Sequence, residues 1–151
     1  MGVAQTYPLR VAAEAAQLPE TKTPRRWQDN RVITLGGNGA TANGTGNRCG
    51  WSRNRILQLA ITQALVKRGV SLSMSAKAAL EFSDNGGASR AAGQLYPVGK
   101  TILRLGSKDA EVANVDFSAS IFDLSNDSVT ICIDLNRIVE QVDSVLNKFK
   151  H

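Results

Sequence analysis

The side chains best equipped for chemistry in this chain are hydrogen-bond donors of the kind that hold polyanions. Arg25, Arg26, Gln28, Asn30 and Arg31 fall within seven residues, Arg48 closes a glycine-rich run, and Arg53 and Arg55 open an apolar segment. Arginine grips phosphate and guanine through a planar fork of N–H groups, and glutamine and asparagine match the edge of adenine. These eight residues are the candidate DNA contacts. A plain surface helix anchored by Trp27 would have the same composition over residues 23–31, so that helix by itself does not decide the partner.

Residues for catalysis are sparse. The single histidine, His151, leaves no material for a His-dependent triad or a His-rich metal site. Asp116, Asp123, Asp127 and Asp134 match no compact ligand motif. Asp134 reads as a helix cap and the others as solvated carboxylates. Cys49 and Cys132 are too few for a disulfide framework and too far apart to hold zinc by themselves. Cys132 reads as a half-buried structural thiol. Cys49 stands beside Arg48, whose charge favours a thiolate, but an unreactive thiol is the preferred reading over a redox-sensitive one. No catalytic residue, metal ligand or cofactor is expected.

The charge of the 151 residues is +5, unevenly placed: residues 1–70 hold ten Lys/Arg against three Asp/Glu, and residues 71–151 hold eight against ten. A basic half joined to a slightly acidic one suits a polyanion-binding domain with an assembly or sensing module, in preference to a surface that is merely basic. No apolar run approaches the ~20 residues of a membrane span, and no basic stretch followed by an apolar one suggests a signal peptide. A cytoplasmic location and no membrane association are expected.

The elements that must position these residues follow from periodicity. Leu9, Val11, Ala12, Ala15, Ala16 and Leu18 form a short apolar helical face stopped by Pro19. Thr23 and Pro24 look like a capping hydroxyl and a first helical position, starting a helix that runs to about Asn30 with Trp27 inward. Val32–Leu35 reads as a strand, Gly36–Gly50 as a glycine-rich loop, and Arg48–Trp51 as a returning strand. Such a loop lets backbone approach a phosphate chain closely. A nucleotide-binding loop is disfavoured because the Gly-Lys-Ser/Thr ending is missing, and a simple insertion is the remaining alternative. Ser52 caps an amphipathic helix through Ile56, Leu57, Ala60, Ile61, Ala64, Leu65 and Val66, ended by Gly69. A helix from Ser71 or Ser73 to Phe82 follows. After a boundary within Ser83–Gln94, strands at Thr101–Leu105, Glu111–Phe117 and Val129–Ile133 are predicted, with Ser118–Leu124 either helix or loop. Asp134 caps a last helix whose stripe is Leu135, Ile138, Val139, Val142, Val145, Leu146 and Phe149. The fold class expected is α+β: an N-terminal winged helix-turn-helix (residues 1–85) followed by a small antiparallel sheet with a C-terminal helix (residues 86–151).

In its order of elements the chain from Tyr7 to Phe82 resembles the DNA-binding domain of the MerR-like helix-turn-helix superfamily. The carriers are Arg26-Trp27, then Gly46-Asn47-Arg48 with Trp51, then Ser52-Arg53, then Arg68-Gly69-Val70-Ser71-Leu72. The resemblance covers about half the chain and implies double-stranded DNA as partner. The loop is longer and richer in glycine than that family's wing, and no long dimer-forming coiled coil follows Phe82. The expected function is a bacterial or phage MerR-like transcriptional regulator. The alternatives are an architectural factor for recombination or packaging, of excisionase or terminase small-subunit type, and a protein-interaction module. A homodimer is expected through Leu135, Ile138, Val142, Val145 and Phe149, against the reading in which that stripe covers its own sheet.

Overall fold

In the computed structural model, which describes residues 5–33, 50–87, 89–107, 109–115 and 130–150, the chain runs through ten elements. They are β1 (Thr6–Tyr7), α1 (Leu9–Ala15), α2 (Thr23–Asp29), β2 (Trp51–Ser52), α3 (Arg53–Val66), α4 (Leu72–Ser83), β3 (Lys100–Leu105), β4 (Ala110–Val115), β5 (Ile131–Asp134) and α5 (Leu135–Asn147). The mixed α+β class is as expected. No helix among the described residues is long and apolar enough to cross a membrane.

α3 forms where its caps place it. The Ser52 hydroxyl accepts the Arg55 N–H, and Gly69 takes the left-handed conformation (φ +89°) that turns the chain away. The periodicity suggests one apolar stripe, but every residue from Arg55 to Thr62 is buried. The reason is its neighbours: α4, α5, α1 and β2 all pack against it. α4 starts at a second serine cap, Ser71, whose hydroxyl accepts the Met74 N–H.

The second sheet has the order β4-β3-β5, all antiparallel, with Leu103 opposite Val112 on one side and Ile133 on the other. α5 begins at Asp134, whose carboxylate accepts the Arg137 N–H. It packs against β3 and equally against α1 and α3. Leu135, Val139, Val142 and Leu146 of its stripe are thereby buried within the chain, while Ile138, Val145 and Phe149 are half-buried. One apolar cluster joins Tyr7, Trp27, Trp51, Phe82, Leu103 and Leu146, so the core runs on both sides of the boundary expected near residue 85.

Three local expectations are corrected. Thr23 is not a capping hydroxyl: the Lys22 carbonyl accepts the first helical N–H of α2, and Thr23 is itself helical and buried. Val32 and Ile33 form a bend, not a strand, because both N–H groups fold back on the Trp27 carbonyl. Trp51 does not pair with Val32 or Ile33, the described residues there; Tyr7↔Trp51 and Thr6↔Ser52 are the paired residues of a small antiparallel sheet. Residues 34–49, which include Arg48 and most of the glycine-rich loop, and residues 116–129, which include the 118–124 segment, lie outside the described residues.

Arg90, in the segment that leads from α4 to the sheet, folds back on the end of α4. It is 7% exposed, and its guanidinium donates to the Glu81 and Asn85 carbonyls at 3.2 and 2.7 Å and to those of Phe82, Ala91 and Gln94 at 3.3–3.4 Å. It also lies against the rings of Phe82 and Tyr96, with centroids 5.2 and 5.8 Å away. A cation here satisfies the last carbonyls of α4 and complements the negative end of its dipole. Replacing Arg90 by alanine strands those carbonyls, and a decrease of about 3 kcal/mol in urea unfolding is expected. Arg90→Lys should recover less than half of it, because an ammonium cannot reach carbonyls in a planar fork.

Candidate nucleic-acid interface

α2 is two turns long and has one inward side chain of size. Trp27 is buried, Gln28 is half-buried, and Arg25, Arg26, Asp29 and Asn30 are exposed. The helix therefore presents a polar face while the indole ties its back to the core. The face is not purely cationic. Arg25 lies 4.0 Å from Asp29, and Arg26 lies 3.8 Å from Glu20, with all four side chains at least 60% exposed. Exposed pairs this loose hold together by ~0–1 kcal/mol and yield readily to a phosphate. The Asn30 side chain has no partner among the described residues.

Arg31 ends the helix. Its N–H donates to the Gln28 carbonyl at 2.9 Å, and the Val32 N–H donates to the Trp27 carbonyl at 2.8 Å. This pair of bonds requires a left-handed residue between them, and Arg31 supplies φ +57°. Glycine is the residue that takes this conformation without strain; an arginine there costs about 1 kcal/mol or more. The side chain is exposed and unpaired among the described residues. Lys22, exposed and likewise unpaired, stands at the other end of α2. The sequence does not single it out, because Thr23 resembles the cap and draws the helix start one residue further on.

Arg53 and Arg55 are placed differently from these, engaged inside the chain. Arg53 makes a two-pronged contact with the Asp143 carboxylate of α5, at 2.7 and 3.0 Å, and donates to the Gly93 carbonyl at 2.7 Å. Arg55 is 5% exposed and binds Asp84 and the Gln58 carboxamide oxygen. Their donors face protein acceptors because α3 is enclosed where it begins. Arg48 is outside the described residues, so the structure brings together Arg25, Arg26, Gln28, Asn30 and Arg31, with Lys22.

The remaining reactive groups give no catalytic arrangement. Cys132 is exposed on an outer strand, not half-buried as expected, because it points away from the Ile131 and Ile133 side of β5. Partial desolvation of the thiol raises its pKa against the lowering influence of Arg104, so it stays protonated near neutral pH. Partial burial pushes the Asp134 carboxyl up, but Lys100 and the N–H groups opening α5 outweigh it and hold the pKa below the usual value. Asp134 is thus ionised in its capping role. Among the described residues no group of three His, Cys, Asp or Glu could hold a metal ion.

No protein-family model matches the chain, and no curated protein matches it by sequence.

The two kinds of arginine should separate in a stability measurement. Arg55→Ala leaves Asp84 without its cation beside a buried vacancy and should lower unfolding free energy by about 3 kcal/mol. Arg31→Gly should raise it by about 0.5–1 kcal/mol through relief of the left-handed strain. A destabilised Arg31→Gly protein would mean that the side chain has a structural duty.

Proposed function

We propose that the chain is a non-catalytic, cytoplasmic protein that binds double-stranded DNA, acting as a MerR-like transcriptional regulator, with α2 as the helix presented to the major groove. The observation that carries this reading is Arg31: a strained arginine, where glycine would sit without strain, stands exposed at the end of a helix that already shows Arg25, Arg26 and Asn30. Strained backbone of this kind concentrates at functional sites. α1, the turn at 16–22 and α2 have the order of a helix-turn-helix. Trp27 holds α2 from behind. The pairing of β1 with β2 brings the end of the glycine-rich segment beside the start of α1, as suits a wing whose base is fastened to the helical unit. Within the proposal, Arg48 contacts backbone phosphate from that wing. Arg53 and Arg55 fix α3 instead, and any share they take in phosphate contact requires exchanging their internal carboxylates.

The test is fluorescence anisotropy of the full chain with duplex DNA over a range of salt. Affinity should fall steeply with salt, and each substitution that removes a phosphate-binding side chain should flatten the slope of log K against log salt by ~0.9. Arg31→Gly, with its fold checked by the unfolding measurement above, should weaken binding and flatten the slope. Arg25→Ala/Arg26→Ala should also relax sequence preference, each base-reading arginine carrying ~1–3 kcal/mol of discrimination. Unchanged affinity in both variants sinks the reading.

A single such unit covers few base pairs, so the proposal includes a homodimer on a two-fold site. Most of the α5 stripe is occupied within the chain, which leaves Ile138, Val145 and Phe149, or the outer strands β4 and β5, for the contact. Sedimentation of the full chain at tens of micromolar should show a dimer. A monomer that binds a half-site with full specificity removes it.

A further inference from the structure

A cleft of about 370 Å³ opens between the end of α1, the C-terminal half of α3 and α5, at the lower end of the size range of small-molecule sites. Its polar lining is Gln17, Gln63 and Gln141 with Lys67 and Arg68; the rest is alanine and Ile138, and no carboxylate lines it. Two cations just past a helix end have an ordinary explanation, since they complement the dipole of α3. That explanation does not reach the carboxamides. Gln17 and Gln63 have no side-chain hydrogen-bond partner among the described residues, and Gln141 uses only its NH₂ group, on the Ala15 carbonyl at 3.2 Å. Lys67 and Arg68 have no ion pair there either.

Gln17 adds an independent observation. It is the left-handed residue (φ +54°) that ends α1, with its N–H on the Glu14 carbonyl and the Leu18 N–H on the Ala13 carbonyl. As at Arg31, glycine would fit with less strain, and here the side chain lines the cleft. A strained glutamine, two further carboxamides and two cations thus line one cleft of mixed polar and apolar wall, with Gln17, Lys67 and Arg68 exposed.

We propose that this cleft binds a small organic anion, a carboxylate or phosphate monoester with an apolar body. Lys67 and Arg68 hold the anion, the three carboxamides meet its other polar groups, and the alanines and Ile138 take the apolar part. The occupant then joins the turn after α1 to α3 and α5. Because α2 follows that turn, occupancy adjusts how α2 is presented; this regulatory consequence rests on the function proposed above, whereas ligand binding does not.

The experiment is amide-correlation NMR of the full chain titrated with benzoate, citrate and phenyl phosphate, with benzamide as the neutral counterpart of benzoate. At least one anion should give saturable shifts at Gln17, Gln63, Lys67 and Arg68, with a Kd of about 1 mM or tighter. Lys67→Ala/Arg68→Ala should weaken it by roughly tenfold or more. Gln17→Gly should keep or raise the thermal midpoint while weakening the anion by about threefold, a combination that a purely structural glutamine would not give. The proposal is overturned if none of the three anions saturates below about 20 mM, if the double substitution leaves the affinity unchanged, or if benzamide binds as well as benzoate. Reduced DNA affinity in the double variant without anion binding to the unsubstituted chain would overturn it too, and would assign the two cations to the DNA backbone instead.

Discussion

The enclosure of α3 is the constraint that organises the rest. Over the enclosed stretch from Arg55 to Thr62 there is no water for the polar side chains, so each of those must find a protein partner. Arg55 meets Gln58 and Asp84, Gln58 donates to the Ala76 carbonyl of α4 at 3.4 Å, and Thr62 donates to the Gln58 carbonyl at 2.7 Å. Ser83 supports the Asp84 carboxylate from its own hydroxyl at 2.8 Å. Burying the Arg55 charge carries a large desolvation cost, and the pair with Asp84 is poor grounds for claiming net stability. What the contacts do is fix register. Satisfying Arg55 and Gln58 together restricts the rotation at which α4 lies on α3, and Arg53 with Asp143 restricts α5 in the same way.

Backbone conformation at the helix ends supplies a second constraint. α1, α2 and α3 all stop through the same pair of backward hydrogen bonds, around Gln17, Arg31 and Gly69. Only the third uses glycine. Two neighbouring helices ending in strained non-glycine residues, both with exposed polar side chains, make a local departure from the least strained sequence for the fold. Such departures concentrate where side chains serve something other than folding. Gly93 shows the opposite case: its φ of +71° coincides with Asn54 standing 2.4 Å from where a Cβ would be, so there the backbone leaves no choice.

Much of this fold is legible in the sequence because its signals are local. Ser52 and Asp134 read as caps and are caps, and of Ser71 and Ser73 the first is the cap; the strands on either side of Gly106 pair as their alternation suggests; Trp27 is buried as expected. What escapes depends on contacts distant in sequence. Nothing in Thr6–Tyr7 announces a strand, because two residues form one only when Trp51–Ser52 lies alongside. Arg90 looks like any loop cation until the end of α4 is placed over it. Arg53 and Arg55 carry the composition of phosphate ligands, and only the packing of α4 and α5 reveals Asp84 and Asp143 as their partners. In the candidate site, the exposed face of α2 is readable from Trp27 and its neighbours, but the strain at Arg31 is not, since a left-handed arginine has no sequence signature.

These contacts also bear on how the two halves of the chain relate. Charge and periodicity divide the sequence near residue 85, and a division of that kind suggests a reader domain with a separable partner module. The packing argues for closer dependence. α5 covers α1 and α3, Gln141 donates to the last carbonyl of α1, and Asp143 receives Arg53. Removing residues 86–151 would uncover the faces of α1 and α3 on which α5 packs and would leave Arg53 without its carboxylate, so the N-terminal half lacks a complete core of its own. α5 thereby stands in direct packed contact with α1 and α3, the helices next to α2 in the chain. Under the proposed function, a displacement of α5 would be felt first at the end of α1, through the hydrogen bond from Gln141 to the Ala15 carbonyl.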